Sequence, residues 1–570
     1  MLVFGDRVRV RDPREAAGEL ATRLPEIERM EPGLARHAAL VGAFLEAGEL
    51  VQGLTDRASE TIDARTAVGE AGMRLLVTIA DAIDASWSSA GTYAAGPATA
   101  ALAALAALRL PDTIEARRAE GYAFYAVYPE AYLAAARAAP PGPRRVIGIR
   151  SIGAGLAALV ATATGAPLPA TVRPRGDPLH RSLDVAPALI AEWVAAGAAR
   201  VAIVDEGPGL SGSSFGAVAD RLEDAGVPIE HIECFPSHRG ELGPAASARH
   251  RERWRRLARH VVDVDALLLR DGTLARWIAS LVGPLVQPLE DLSAGRWRAK
   301  HFRSSAEWPA CVVSQERRKL LAHARSGTWL ARFVGLGRDG ERALARARVL
   351  HRAGFTPEVA GLCHGFLVER WIAATPLATA RLDRTHRRRM IERVGRYLGF
   401  RARTLGAGPE HGAALDRLAE MVRRNATLAL GAPPIVRGSP AALAPRVHRV
   451  EIDGRLHAWE WLECDDGTLV KADALDHHAA HDLIGCQDIT WDLAGAAVEL
   501  ELSGAEQQRL AAITGETGGR AVDPELLAFA RPCYLAFQLG RHALAAATGG
   551  DEATRLQAAA ERYAGQLRAI

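Results

Sequence analysis

Between about residues 13 and 118, apolar side chains recur at intervals of three and four, as in EAAGELATRLPEIERM and HAALVGAFLEAGELVQGL. This spacing predicts amphipathic helices and no strand in that stretch. At 144 the period changes. RRVIGI, ATVRP, VAIV and IEHIECF are short β-branched runs, separated by the helical patterns GAGLAALVATATG, PALIAEWVAAG and SFGAVADRLEDAG. Strands alternating with helices predict a parallel sheet with crossover helices. An arginine-rich segment over 249–259 leads through helical sequence to Pro284 and Pro288, the predicted domain connection. From about 297 the pattern predicts a strand pair ending in WLARFVG, a helix over ERALARARVLHRAG, the apolar strand HGFLVERWI and long helices. A three-strand meander is then expected over 447–473, with Asp453-Gly454 and Asp466-Gly467 at its turns, before helices close the chain. The expected organisation is a helical region over 1–118, an α/β domain over 119–250, a helical connection over 251–296 and an α+β domain with C-terminal helices over 297–570.

Composition narrows the class. With 570 residues, 49% of them hydrophobic, the chain is long enough for two or three domains with buried cores. The six cysteines are scattered and form no CxxC pair, which argues against a zinc ribbon and fits a reducing cytoplasm. Of the 70 basic residues only Lys300, Lys319 and Lys471 are lysines, and 67 acids nearly cancel the total, so no nucleic-acid partner is indicated. The N-terminus carries charge where a secretory signal needs an apolar stretch. The uncharged segment 85–108 is built from Ala, Ser, Gly and Thr, and reads as a packed helix rather than a membrane span. A cytoplasmic protein without membrane partners is expected, and a homodimer is compatible with the sequence.

The chemistry concentrates in VAIVDEGPGLSGSSF, residues 201–215, a buried strand running through a Gly/Ser loop into a helix. Such a junction aims backbone N–H groups at a phosphate. Gly207, Gly209 and Gly212 spell the dinucleotide fingerprint GxGxxG, and Gly207 and Gly212 before Ser213 and Ser214 spell a Walker loop without its lysine. Asp205-Glu206 followed by SGSS matches a third pattern, the PRPP loop of type I phosphoribosyltransferases. Two carboxylates beneath a pyrophosphate would repel it, whereas they suit ribose hydroxyls, with the loop left to hold a 5′-phosphate. The chain resembles that family over about 119–250. Arg150, Ser151 and Gly153 in GIRSIG look like its pyrophosphate loop, RPRGDPLHR like its mobile flap, and GYAFYAVYPEAY stands where it builds a base-binding hood. The acidic-pair loop is one residue longer than the common pattern. The resemblance implies a Mg²⁺-assisted displacement of pyrophosphate from PRPP by a base-like or amide nitrogen acceptor. It assigns catalysis to Asp205, Glu206 and Arg150. Phosphate binding falls to Ser151, Gly153, Gly209, Ser211, Gly212, Ser213, Ser214, Arg173 and Arg175. A Rossmann-type dinucleotide enzyme is the remaining alternative for this segment.

The C-terminal part, with WLARFVGLGRDGERALARARVLHRAGFTPEV, HGFLVERWI and QDITWDLAG, resembles the aminoglycoside and choline kinase family over about 300–500. It implies that Arg332, Glu369 and Asp473 face a nucleotide such as ATP, with Arg332 in place of the usual strand lysine. No HGDxxxxN loop is present, and DGRLHAWEW puts Arg455 where the catalytic aspartate belongs. The segment DALDHHAAHD brings Asp473, Asp476, His477, His478, His481 and Asp482 together with metal-ligand chemistry, and Asp473, His477, His478 and His481, with Asp488 of QDITWDLAG, are candidate metal ligands. Two functions follow. One is a phosphoribosyltransferase fused to a divergent ATP-binding domain; the other is a non-catalytic nucleotide-binding regulator or scaffold with a pseudokinase domain.

Overall fold

In the computed structural model the described residues are 8–89, 96–195, 199–209, 211–377, 382–432, 436, 438–479 and 484–570. The N-terminal region folds as helices Pro13–Arg29, Leu34–Ala58, Ala67–Ser88 and Gly96–Ala106. Asp12 caps the first by accepting from Arg14 N at 2.8 Å, and Thr66 caps the third by accepting from Gly69 N at 3.1 Å. Contrary to the all-helical expectation, Ile114–Arg117 is a strand that pairs antiparallel with Val8–Arg11. Ile114 and Ala116 face inward and Glu115 and Arg117 outward, an alternation only four residues long that is hard to see beside long helical patterns.

The four β-branched runs and a fifth, two-residue strand form a parallel sheet in the order Ala170–Val172, Arg144–Ile149, Arg200–Val204, Ile232–Phe235 and Ala258–Arg259. Both faces of its central strand are buried. Val201 and Ile203 join Phe215, Val218 and Leu222 of helix Ser213–Asp224 in one cluster, while Ala202 and Val204 join Leu156 and Leu159 of helix Gly153–Thr164 in another. An antiparallel hairpin, Arg175–Asp177 with His180–Ser182, rises after the edge strand. The stretch 251–296 does more than connect. It supplies the fifth parallel strand, buries Leu274 and Ile278 from helix Thr273–Val282, and ends in Glu290–Asp291, the edge of a second sheet.

That second sheet is antiparallel, in the order Glu290–Asp291, Lys319–Ala324, Gly327–Phe333, Phe366–Arg370 and Val359–Cys363, with helix Gly337–Arg352 after its third strand. The expected meander is only partly present. Trp461–Glu463 and Leu469–Lys471 form a hairpin across Asp466-Gly467, but Arg449–Val450 pairs instead with Gln487–Asp488. Asp453-Gly454 is not a hairpin turn, because the buried Asp492 carboxylate accepts from both of its backbone N–H groups, at 2.7 and 2.8 Å. Helices Arg384–Thr404, Leu415–Leu430, Thr490–Glu499, Gly504–Gly518, Pro524–Ala546 and Ala553–Arg568 make up most of the remainder. No described helix is long and apolar enough to cross a membrane.

One apolar core runs through Leu40, Phe44, Ile79, Leu159, Phe333 and Val368, so the helical region, one face of the parallel sheet and the second sheet share an interior. Backbones approach closely where helix Leu34–Ala58 meets the start of Gly337–Arg352. A Cβ on Gly337, which has φ +54°, would lie 2.9 Å from the Gly42 Cα. Charges also cross the join. Arg150, buried at the end of the second parallel strand, donates Nε to Asp56 at 2.8 Å, Nη1 to the Thr171 carbonyl at 2.9 Å and Nη2 to Asp63, which is fully buried. Removing one partner of a buried pair leaves the other charge uncompensated, at a cost of about 3 to 5 kcal/mol. Asp63→Ala is therefore expected to lower the unfolding free energy by about 3 kcal/mol or more in urea titration; a change under about 1 kcal/mol would show that the clamp does not hold the helical region to the sheet.

Candidate functional site

The strand order of the parallel sheet reverses between Arg144–Ile149 and Arg200–Val204. In open α/β sheets ligands bind at such a switch point, beyond the carboxyl ends of the strands. The loops here are 150–153 and 205–214. Their contact is close: a Cβ on Gly153 would stand 2.6 Å from the Val204 carbonyl oxygen and 3.4 Å from Asp205 Oδ1. The segment 119–138 covers the pair. Gly121 lies over Glu206, where a Cβ would fall 2.2 Å from Oε2, and Tyr132 donates its hydroxyl to the Asp205 carbonyl at 2.8 Å. Glu206 Oε2 is buried without a hydrogen-bond partner among the described residues. Burial pushes the Asp205 carboxyl up to about 7, a rise that the Glu206 N–H and the charges of Arg181 and Arg173 reduce. Burial and then the neighbouring Asp205 charge push Glu206 up to about 8.

Helix Ser213–Asp224 begins directly after the loop, with Gly212 at φ +60°. Ser211 and Ser213 donate their hydroxyls, at 3.1 and 2.8 Å, to one acceptor, the carbonyl of Pro178 at the tip of the hairpin Arg175–Ser182. The hairpin thus closes over the mouth of the Gly/Ser loop with an oxygen in its hydroxyl cradle.

The arginines are placed differently from the sequence expectation. Arg150 sends its guanidinium away from the crevice into the Asp56, Asp63 and Thr171 clamp described above. Arg173 makes a bidentate pair with Asp56, both bonds at 2.5 Å, and Arg175 donates to the Ser59 carbonyl at 2.5 Å. Their charge is spent on two acids of the helical region, which sequence spacing does not reveal. Arg181, in the hairpin's second strand, has no ion-pair partner among the described residues, and its field reaches Asp205. It lies in the charged stretch RPRGDPLHR but was not singled out by the sequence.

A second site lies in the C-terminal half. A cavity of about 420 Å³ is lined by residues that include Trp297, Arg332, Trp371, Arg455, Glu460 and Asp473. Arg332, Glu369 and Asp473 meet: Arg332 Nε donates to Glu369 at 2.9 Å and Nη1 to Asp473 at 2.6 Å. Burial acts to raise the Asp473 carboxyl, but Arg332 and His477 overcome it and hold it well below the usual range. Burial also raises Glu369, against the pull of Arg332. Lys319 stands beside Arg332 on the adjacent strand, 4.0 Å from Asp473. Glu460 accepts from the buried Lys471 at 2.6 Å. Glu460 lines the same cavity as Arg455 and was not singled out from the sequence.

The proposed metal ligands divide. Asp473 and His477 belong to one group with Asp476, their ligand atoms within 4.8 Å of one another. His478 does not join it: it is buried beside Arg346 and Arg401, and burial together with those charges holds it well below its normal range. Asp488 is outside the group too, accepting from Thr490 N and His448 N at 3.0 Å each. His481 lies outside the described residues.

No model of a known protein family matches the chain, and no curated protein matches it in sequence. Solved structures similar to it include the choline kinase LicA from Streptococcus pneumoniae, at 15% identity over 52% of this chain and 99% of that one, TM-score 0.31. Ethanolamine kinase from Plasmodium vivax is 9% identical over 44% of this chain and 80% of that one, TM-score 0.30. Spectinomycin phosphotransferase APH(9)-Ia in complex with ADP and spectinomycin is 12% identical over 49% of this chain and 89% of that one, TM-score 0.29. Superpositions this loose leave the character of the pocket to the side chains that line it.

The acidic pair gives a pH signature. Folded values near 7 and 8 exceed the unfolded ones near 4, so the stabilising contribution is complete below about pH 4 and is lost as pH rises through 7 to 8. Relative to the Asp205→Asn/Glu206→Gln double variant, the wild type is expected to lose melting temperature steadily between pH 5 and about 8.5. A difference that is constant or grows with pH would contradict this placement of the two carboxyls.

Proposed function

We propose that the crevice between loops 150–153 and 205–214 binds PRPP and that the protein is a phosphoribosyltransferase. The observation that carries this reading is the acidic pair: two carboxyls without a direct cation partner among the described residues, at the switch point of a parallel sheet, one short loop from a helix N-terminus whose serines already hold an acceptor oxygen. Ionised Asp205 and Glu206 accept hydrogen bonds from the ribose hydroxyls. The hydroxyls of Ser211 and Ser213 and the N–H groups of Gly212, Ser213 and Ser214 hold the 5′-phosphate after the Pro178 carbonyl withdraws, with Gly209 leaving room in the loop. Ser151 and Gly153 receive the pyrophosphate with backbone N–H groups. Arg181, rather than Arg150, provides the cation. Mg²⁺ fits this donor set, two carboxylates with one buried oxygen still unpartnered, and when bound with PRPP it neutralises the leaving pyrophosphate. In the reaction the anomeric C–O bond to pyrophosphate breaks and a C–N bond to a base-like or amide acceptor forms. The segment over Glu206, with the buried rings of Tyr122 and Tyr132, borders the acceptor's place.

The C-terminal cavity we read as a nucleotide site that does not transfer phosphate. Arg332 supplies positive charge for the phosphates, and Asp473 and Glu460 supply carboxylates for an accompanying cation. Arg455, where a carboxylate would take the acceptor's proton, has no acceptor capacity. This favours a regulatory role for that half of the chain.

PRPP with Mg²⁺ is expected to raise the melting temperature at pH 8, and the Asp205→Asn/Glu206→Gln variant to abolish the rise. Arg181→Ala should weaken PRPP binding by about tenfold, the loss of one charge-assisted contact, while Arg150→Lys leaves it within about threefold in folded protein. An undiminished shift in the double variant would sink the assignment. ATP should bind the wild type by calorimetry and Asp473→Asn much more weakly, with no turnover of ATP; steady phosphate transfer would refute the non-catalytic reading of the C-terminal half.

A further inference from the structure

A third cluster of ligand-type side chains lies in the shared core, away from both cavities. His37 from helix Leu34–Ala58, Glu130 from helix Pro129–Ala138 and His364 from the turn joining Val359–Cys363 to Phe366–Arg370 bring their ligand atoms within 4.8 Å of one another. Glu130 is fully buried, and both histidines are 3% exposed. His37 Nε2 lies 2.6 Å and His364 Nε2 2.8 Å from the same oxygen, Glu130 Oε1. The other oxygen, Oε2, is buried and has no hydrogen-bond partner among the described residues. Trp87, Trp277 and Tyr128 pack their rings against the two imidazoles at 5.3 to 5.6 Å, which makes the surroundings apolar.

We propose that His37, Glu130 and His364 form a structural site for a zinc-class transition metal. As a hydrogen-bonded cluster alone, the arrangement crowds two imidazoles onto one carboxylate oxygen and leaves the other oxygen of a buried charge with nothing, a costly state. Two imidazoles and a carboxylate are a zinc donor set, whereas Mg²⁺ and Ca²⁺ select oxygen ligands. Metal–ligand bonds of about 2.0 to 2.2 Å at tetrahedral angles place ligand atoms about 3.3 Å apart, so each imidazole needs to draw back from Glu130 Oε1 by only about 0.5 to 0.7 Å to admit an ion. Oε2 is then available for a second bond or for a water on the metal. Two further features fit. His37 Nδ1 is anchored 2.9 Å from Ser86 Oγ, the outer partner that fixes a ligating ring. His364 holds φ +42°, a left-handed conformation that a histidine adopts at a cost and that aims its ring inward from a turn where asparagine would be easier.

A metal here would staple the helical region, the segment covering Asp205 and Glu206, and the strand pair carrying Glu369. Elemental analysis of the full-length protein from zinc-supplemented cultures should find about one zinc per chain. The cobalt-substituted protein should show the visible absorption of a four-coordinate site. Glu130→Gln and His364→Asn, the latter chosen to suit the turn, should each reduce bound metal at least about tenfold, whereas His477→Ala, in the other cluster, should retain it. Chelation should lower the melting temperature of the wild type and not that of Glu130→Gln. Wild-type protein with no metal above background and no cobalt absorption would overturn the proposal whether or not the variants fold, as would metal lost in His477→Ala and kept in Glu130→Gln.

Discussion

A buried strand that ends in two adjacent carboxyls is the constraint around which the first half of the chain is arranged. Val204 belongs to the core, and the chain turns acidic at the next residue, before it has fully left the apolar interior. Everything near that point is shaped to tolerate it. Gly121 lacks a side chain where Glu206 Oε2 needs the volume, Gly153 lacks one where the Val204 carbonyl passes, and Tyr132 satisfies the Asp205 carbonyl. Burial raises both carboxyls, and among the described residues no direct cation contact offsets it. An arrangement that destabilises the free protein is one that a bound cation and polyol can relieve.

Elsewhere the chain handles buried charge in the opposite way. Arg150 and Arg173 are matched by Asp56 and Asp63, Arg332 by Glu369 and Asp473, and Lys471 by Glu460 and Asp453. These pairs sit where separate segments meet, so they fix orientation as well as satisfying charge. They also explain why arginine counts say little about ligands here. A guanidinium visible in the sequence has a visible charge and an invisible direction.

Four strands of the parallel sheet were legible because each carries its own β-branched run, with a helical period between successive runs, whereas the fifth, Ala258–Arg259, has no β-branched residue to mark it. The acidic pair was legible because its chemistry is contiguous, two carboxyls and a Gly/Ser loop within ten residues of one strand. Contacts between distant positions were not. The Arg150 clamp depends on Asp56 and Asp63, 94 and 87 residues away, and the Glu130 cluster on partners 93 and 234 residues away. The shared core was invisible for the same reason, since Leu40, Leu159 and Phe333 each look like ordinary local core. At Asp453-Gly454 the local turn signal predicted a hairpin that the structure does not form, where a distant carboxylate, Asp492, accepts from both backbone N–H groups.

The central claim, that the acidic pair is a PRPP site, is tested most directly by equilibrium binding of PRPP with Mg²⁺ at pH 5.5 and 8.5, in the wild type and in Asp205→Asn/Glu206→Gln. Because carboxyls near 7 and 8 must ionise to receive the ligand, the wild type should bind at least about tenfold more tightly at the higher pH, and the variant should bind weakly at both. Equal affinity in wild type and variant, or wild-type binding that is absent at pH 8.5, would contradict the account.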